Sequence, residues 1–305
     1  MSLPAIIHSY KYGFGGIGDL FRSVLAFHAV CRQSGVEFYI SLEETPDYKA
    51  CFDLKPIPED IRVESSEYRQ RIAADYRGNA FIQQVVQAAQ KKIAVQTVAS
   101  NVTWLHESAL LAVHTPTIQE IIRPSTLVLA KMEEVYARYG LAPGGYASYH
   151  VRCGDVYMCK ESGKGTSPDI RTRLTPQTMS QYAHLLRQFS EKLGGDLPIL
   201  IHSDSNEFKH QLQALVEPSG NYIFLDMPIQ HVANRLGDNT VESYVSTVAE
   251  FYLLVKSAAI LMPHYSGFSH IASVLGDVPL YGPLAPNREH QDLLASLGPS
   301  KRFAI

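Results

Sequence analysis

The sequence predicts an α/β protein built from two doubly wound, Rossmann-like domains. Three observations carry that prediction. Short apolar runs of strand length alternate with longer stretches of helical periodicity along the chain. A glycine-bearing turn separates a strand from a helix at Tyr12–Asp19 and again at His264–Ser273. The run Leu141-Ala142-Pro143-Gly144-Gly145 interrupts the alternation and divides the chain into 1–143 and 144–305.

Ala5 to Tyr10 reads as the first strand. Tyr12-Gly13-Phe14-Gly15-Gly16-Ile17-Gly18-Asp19 follows, and then Leu20, Val24, Phe27, His28 and Cys31 recur at helical spacing up to Gly35. Glycines let backbone amides approach an anion, and a helix N-terminus adds partial positive charge. Gly15, Gly16 and Gly18 are therefore candidate phosphate contacts. The spacing matches neither the GxGxxG fingerprint nor a P-loop ending in Lys-Ser/Thr. The competing reading is that these glycines serve only a tight βα turn. Val36 to Leu42 reads as a second strand, and Glu43-Glu44-Thr45-Pro46-Asp47 as a polar loop. Residues 80–92 read as a helix, Ile93 to Val98 as a strand, and Trp104–Val113 and Ser125–Tyr139 as helices, the last started by Arg123-Pro124.

The second half begins with Tyr146-Ala147-Ser148-Tyr149-His150-Val151-Arg152-Cys153-Gly154-Asp155, a strand running into a polar turn. His150 and Arg152 are two apart, so on a strand they share a face. The planar arginine fork suits a phosphate, to which it can donate two parallel hydrogen bonds. Asp155 can orient that fork or cap a turn. A structural Arg–Asp pair beside a half-buried histidine explains the same residues. Val156 to Arg173 carries Lys160, Glu161, Lys164, Asp169, Arg171 and Arg173. It reads as a long loop at a strand end, where open α/β sheets bind ligands, and as a lid that closes over a bound donor. Thr175-Pro176-Gln177 starts a helix to about Lys192. Leu197–Ile201 is a strand ending in His202-Ser203-Asp204-Ser205. Ser205-Asn206-Glu207 has the character of a helix start, so Asp204 is also explained as turn chemistry. Asn221–Leu225, Ala258–Met262 and Val278–Tyr281 read as strands, with a helix at Val241–Lys256 and a turn into a helix at His264–Ser273. Two such domains facing each other across a linker near residue 143 give the GT-B arrangement of many nucleotide-sugar glycosyltransferases.

Composition narrows the function. The chain has 305 residues, 46% hydrophobic and 19% charged, as expected of a globular protein. A net charge of -3 implies no bulk attraction to nucleic acid or anionic membrane. No apolar run is long enough to span a bilayer, and the N-terminus lacks a basic start followed by an apolar run, so a cytoplasmic protein is expected. Cys31, Cys51, Cys153 and Cys159 form no CxxC pair and no zinc spacing, which points to reduced thiols.

Four stretches, taken together, resemble the GDP-fucose-dependent fucosyltransferases of the α1,2, α1,6 and protein O-fucosyltransferase group, the rhizobial nodulation fucosyltransferase type included. His150-Val151-Arg152-Cys153-Gly154-Asp155 resembles their HxRRxD motif, and His202-Ser203-Asp204-Ser205 their Ser-Asp-Asp strand end. Glu250, with Ser266 sixteen positions on, keeps the spacing of their last motif. Gly15-Gly16-Ile17-Gly18-Asp19 is similar to their N-terminal glycine turn. The resemblance implies an inverting, metal-independent transferase that moves fucose from GDP-fucose to a hydroxyl of a glycan or other acceptor. It implies that Arg152 binds the diphosphate, that His150 contacts the nucleoside, and that Glu250 accepts from guanine N1–H and N2–H₂. It further implies that Ser266, with Gly267 and Ser269 in the same turn, completes the phosphate site together with the Gly15–Gly18 amides, and that Asp155 and Asp204 join the donor site. No resident cofactor or metal is expected, because arginine neutralises the diphosphate. Apart from the resemblance, Glu250 reads as a solvated helix residue.

The sequence departs from the pattern at three places. Cys153 stands where the second arginine would be, and Asp19 where the first turn has asparagine. Lys160 stands at the position of the α1,6-type catalytic glutamate, with Glu161 next to it, so Glu161, Asp19 and Glu43 are all candidates for the base. Gly16-Ile17-Gly18-Asp19 and Ser266-Gly267-Phe268-Ser269-His270-Ile271-Ala272, followed by Gly282-Pro283, also resemble ADP-heptose-dependent heptosyltransferases, which share GT-B but lack the His150–Asp155 motif. A catalytically inactive nucleotide-sugar-binding protein is the third alternative, distinguished by the lack of a carboxylate near the sugar carbon.

Overall fold

The structure is a computed structural model that describes residues 4–10, 16–59, 65–69, 78–92, 95–99, 117–153, 174–216, 221–227, 240–264, 266–282 and 302–303. The chain divides into two compact units, Met1–Val128 with Val232–Asn234, and Leu129–His231 with Arg235–Ile305.

The first unit holds β1 (Ala5–Ser9), α1 (Ile17–Gln33), β2 (Glu37–Ser41), α2 (Pro46–Lys49), β3 (Phe52–Leu54), β4 (Ser65–Arg69), α3 (Gly78–Lys92), β5 (Val95–Ala99) and β6 (Ile122–Pro124). Its sheet runs β2-β1-β5-β4 and is parallel throughout. Every residue of β1 is buried, as expected of a parallel strand covered on both faces. The helix α1 drives Leu20, Phe21, Val24, Leu25 and Phe27 into the core, where Phe27 stacks on Phe38. Gly35, at φ +65, supplies the left-handed residue after its C-cap, which only glycine takes without strain.

Two local expectations change here. The polar loop at 43–47 contains a helical turn, because Pro46 pre-sets the first helical φ of α2 and the Thr45 hydroxyl donates to the Leu42 carbonyl. Arg123-Pro124 ends β6 instead of starting a helix; β6 pairs antiparallel with β3 alone, and proline is tolerated on such an edge. The expected helix at Trp104–Val113 lies outside the described residues.

The second unit begins within α4 (Thr126–Tyr139) and continues with β7 (Ala147–Val151), α5 (Pro176–Lys192), β8 (Ile199–Ser203), α6 (Asn206–Val216), β9 (Tyr222–Phe224), α7 (Val241–Val255), β10 (Ile260–Leu261), α8 (Gly267–Gly276), β11 (Leu280–Tyr281) and β12 (Arg302–Phe303). Leu141–Gly145 therefore lies inside this unit. Its neighbour α4 is tied in by Tyr136, whose hydroxyl is 3.4 Å from that of Tyr146, which in turn donates to the Leu253 carbonyl at 2.7 Å.

The second sheet is parallel and runs β12-β11-β10-β7-β8-β9. From β7 the chain winds outward through β8 and β9, then returns to β10 and winds the other way. The strand order reverses between β7 and β10, and a doubly wound sheet takes its ligand beyond the carboxyl ends of such strands. On one face of β7, Ala147, Tyr149, Val151 and Cys153 join Met179, Tyr182, Leu186 and Phe189 of α5 and Phe208 and Leu212 of α6 in the core. Each large side chain buried there contributes about 1.5–3 kcal/mol. The other face carries Ser148 and His150, whose partners lie on β8 and α8. Close packing behind the site depends on two glycines. A Cβ on Gly276 would stand 2.1 Å from the Val255 carbonyl oxygen, and one on Gly282 would stand 2.8 Å from that of Met262. No helix among the described residues is long and apolar enough to cross a membrane.

Candidate functional site

Strand alternation places the first two residues of the site. His150 and Arg152 leave β7 on the face opposite Tyr149, Val151 and Cys153. His150 is buried, its Nδ1 lies 2.5 Å from the Ser269 hydroxyl of α8, and its ring stacks on Phe268 with centroids 5.3 Å apart. Phe268 rests edge-on against Phe251 of α7, so an aromatic wall backs the histidine. Burial above all, then His202, then Arg152 hold the His150 imidazole well below its ordinary pKa, so it is neutral. With Nδ1 committed to Ser269, Nε2 is the nitrogen left for another partner.

Arg152 is about one-third exposed, and its Nη1 lies 3.4 Å from Asp204 Oδ2. Asp204 Oδ1 accepts from the Cys153 backbone N–H at 2.6 Å. One carboxylate thus ties the ends of β7 and β8 together and holds the guanidinium. Asp204 does more than turn chemistry; the helix start belongs to Ser205, whose Oγ accepts from the Phe208 N–H. The Cys153 side chain lies in the core, near the Ser203 hydroxyl, with its thiol pushed up by burial, so an arginine there would have to leave the core face.

Glu250, on α7, is mostly buried and places Oε1 3.4 Å from Nδ1 of the fully buried His202. His202 pairs in register with His150, and its Nε2 lies 3.2 Å from the Ser148 hydroxyl. Glu250 is therefore held beside the same strands as His150 and Arg152 and is not an ordinary solvated helix residue. Sequence reading missed His202 and Ser148. The signal was present, since Ser148 and His150 share the strand face, but the register with β8 was not legible.

The third component is the start of α8. Ser266 is its N-cap with extended backbone, and Gly267 and Ser269 lie in its first turn. The Ser266 N–H donates to the Met262 sulfur, while its buried hydroxyl makes no hydrogen bond among the described residues. First-turn amides and hydroxyls of this kind suit an anion. The structure thus brings together His150, Arg152, Asp204, Glu250, Ser266, Gly267 and Ser269 within one unit.

In the first unit, Gly16 is the N-cap of α1 and Gly18 lies in its first turn. Asp19 Oδ2 accepts from the Gly16 N–H at 3.0 Å, and its Oδ1 accepts from Arg22 Nη1 at 3.0 Å. Asp19 thus caps its own helix and is paired with a largely buried arginine. Glu43 forms an exposed ion pair with Lys49 at 2.8 Å. Gly15, Asp155, Glu161 and the expected lid at 156–173 lie outside the described residues. Among the described residues, no group of three or more His, Cys, Asp or Glu is placed to hold a metal ion.

No protein-family model matches the chain, and no curated protein matches it in sequence. Its fold does match solved structures. The α-1,6-fucosyltransferase NodZ soaked with GDP-fucose aligns over 91% of this chain and 94% of its own, at 12% identity and a TM-score of 0.54. NodZ from Bradyrhizobium aligns over 92% and 95%, at 13% identity and a TM-score of 0.56. A mutant of Arabidopsis thaliana FUT1 in complex with GDP aligns over 94% of this chain and 71% of that one, at 11% identity and a TM-score of 0.59. The chain has the GT-B fold, and the resemblance to GDP-fucose fucosyltransferases read from its motifs extends to that fold.

Proposed function

We propose that this chain is a cytoplasmic, inverting, metal-independent glycosyltransferase that moves fucose from GDP-fucose to a hydroxyl of a glycan or other acceptor. The observation that carries the reading is the position of His150 and Arg152. They stand at the carboxyl end of β7, where the strand order reverses, and His150 meets Ser269 in the first turn of α8. In this reading Arg152 and the α8 first turn take the diphosphate, neutral His150 contacts the nucleoside, and Glu250 reads guanine. The acceptor oxygen attacks the anomeric carbon and its proton passes to a carboxylate. The bond to the diphosphate breaks, and the negative charge left on GDP falls to Arg152. We assign the base to Glu161, since Asp19 caps α1 and Glu43 is paired with Lys49.

The test is release of GDP from GDP-fucose, with and without a panel of hydroxyl acceptors, in the presence of EDTA. The proposal expects acceptor-dependent release that EDTA leaves unchanged, and its loss in Glu161→Gln with GDP affinity retained. Binding of GDP-fucose with no turnover on any acceptor favours a nucleotide-sugar-binding protein instead.

A further inference from the structure

His202 is a fully buried polar side chain next to the candidate site, and no motif assigned it a role. It is fully buried, sits on β8 beside His150, and has a different neighbour at each ring nitrogen. The Ser148 hydroxyl, itself fully buried, lies 3.2 Å from Nε2. Glu250 Oε1 lies 3.4 Å from Nδ1, which makes no hydrogen bond among the described residues. Buried ring nitrogens are rarely left unsatisfied, so a nitrogen in this state marks a contact that something else completes. If Ser148 donates to Nε2, the ring proton sits on Nδ1 and faces the Glu250 carboxylate.

We infer that His202 is a positioning residue for donor specificity, fixed by Ser148 and holding Glu250 in the orientation that reads the purine edge. The inference rests on the proposed GDP-sugar reading and adds the residue that makes Glu250 selective. Glu250 sits on a helix and its carboxylate can turn about three side-chain torsions. An N–H aimed at one lone pair of Oε1 fixes the carboxylate plane and leaves an acceptor site on each oxygen for the ligand. When guanine donates N1–H and N2–H to the two oxygens, the Nδ1 contact closes into a hydrogen bond. Adenine offers no matching pair of donors and gains nothing from the carboxylate. His202 contacts Ser148 and Glu250, so in this inference it acts on base choice and leaves the Arg152 end of the site alone.

Two substitutions separate this role from mere packing. His202→Asn places an amide nitrogen near the position of Nδ1, whereas His202→Gln places it near Nε2. Affinities for GDP, ADP and inorganic pyrophosphate are measured by calorimetry on the full chain and both variants. The inference expects the wild-type protein to prefer GDP over ADP. It expects His202→Gln to lower that GDP-to-ADP ratio by about tenfold or more, the scale of one hydrogen bond to a charged group. His202→Asn should keep the ratio within about threefold, and pyrophosphate affinity should stay level in both. A GDP preference that survives in His202→Gln, or that falls equally in both variants, overturns the role of His202 and leaves the donor reading standing. A wild-type protein without GDP preference removes the donor reading and this inference with it.

Discussion

Asp204 joins the two strand ends that carry the site: Oδ2 lies 3.4 Å from Arg152 Nη1, and Oδ1 accepts the Cys153 backbone N–H at 2.6 Å. The two contacts are separable. Asp204→Asn keeps an acceptor for the backbone N–H and loses the charge. Because Arg152 is about one-third exposed, the lost pair should cost under about 1 kcal/mol of stability. Nucleotide affinity should fall roughly 3–10-fold as the fork loses its orientation. Asp204→Ala orphans the backbone N–H as well and should cost about 1–3 kcal/mol. Urea midpoints and calorimetry with GDP check both, and unchanged affinity in Asp204→Asn would confine Asp204 to the strand ends.

The arginine itself is tested by Arg152→Lys. A lysine keeps the charge but cannot donate two parallel bonds from a planar fork, so transfer should fall by roughly 10²-fold while the fold is kept. Steady-state kinetics with GDP-fucose read this out. Near-normal turnover would show that Arg152 serves Asp204 and not the diphosphate.

His150 gives a pH prediction of definite sign. Its imidazole is held well below the ordinary value of 6.5 in the folded chain, by burial first. The unfolded chain therefore binds a proton that the folded chain refuses. The contribution of neutral His150 is fully present above the unfolded value and is lost as pH falls below it toward the folded value. The slope approaches about 1.4 kcal/mol per pH unit for one proton. His150→Phe retains a ring to stack on Phe268 and removes the titrating group. Urea unfolding between neutral and mildly acidic pH should show a flatter profile for the variant, and parallel profiles would assign the acid sensitivity elsewhere.

Asp19 separates helix chemistry from catalysis. Its carboxylate accepts from the Gly16 N–H and from Arg22, so Asp19→Asn should cost about 0.5–1 kcal/mol of stability through the weakened cap and lost charge at the α1 N-terminus. Transfer should stay within about threefold of wild type. Loss of transfer with unchanged stability would instead identify Asp19 as the base.

What was legible in the sequence follows the range of the interaction. Period-two alternation already puts His150 and Arg152 on one face, and it puts Cys153 with Tyr149 and Val151 on the other. Reading that alternation one residue further would have identified Cys153 as a core residue. Gly16 and Gly35 at the two ends of α1 and Pro46 at the start of α2 are local chemistry, and the α1 boundaries follow from the two glycines. The β3–β6 pair was not legible, because two three-residue strands carry no period and meet only in the folded chain. The allegiance of α4 is set by Tyr136 on Tyr146, a contact no linker composition reveals. Likewise, the approach of Glu250 to His202 depends on β8 lying beside β7 and on α7 crossing that sheet.

The most direct test of the account is a thermal-shift comparison of GDP, ADP, UDP and dTDP at equal concentration on the full chain. A ligand that binds only the folded state stabilises it by RT ln(1+[L]/Kd), so the order of shifts is the order of affinities. The account predicts the largest shift with GDP, reduced in Arg152→Lys. A shift with ADP equal to or larger than that with GDP would contradict it and favour an ADP-sugar donor of the heptosyltransferase type.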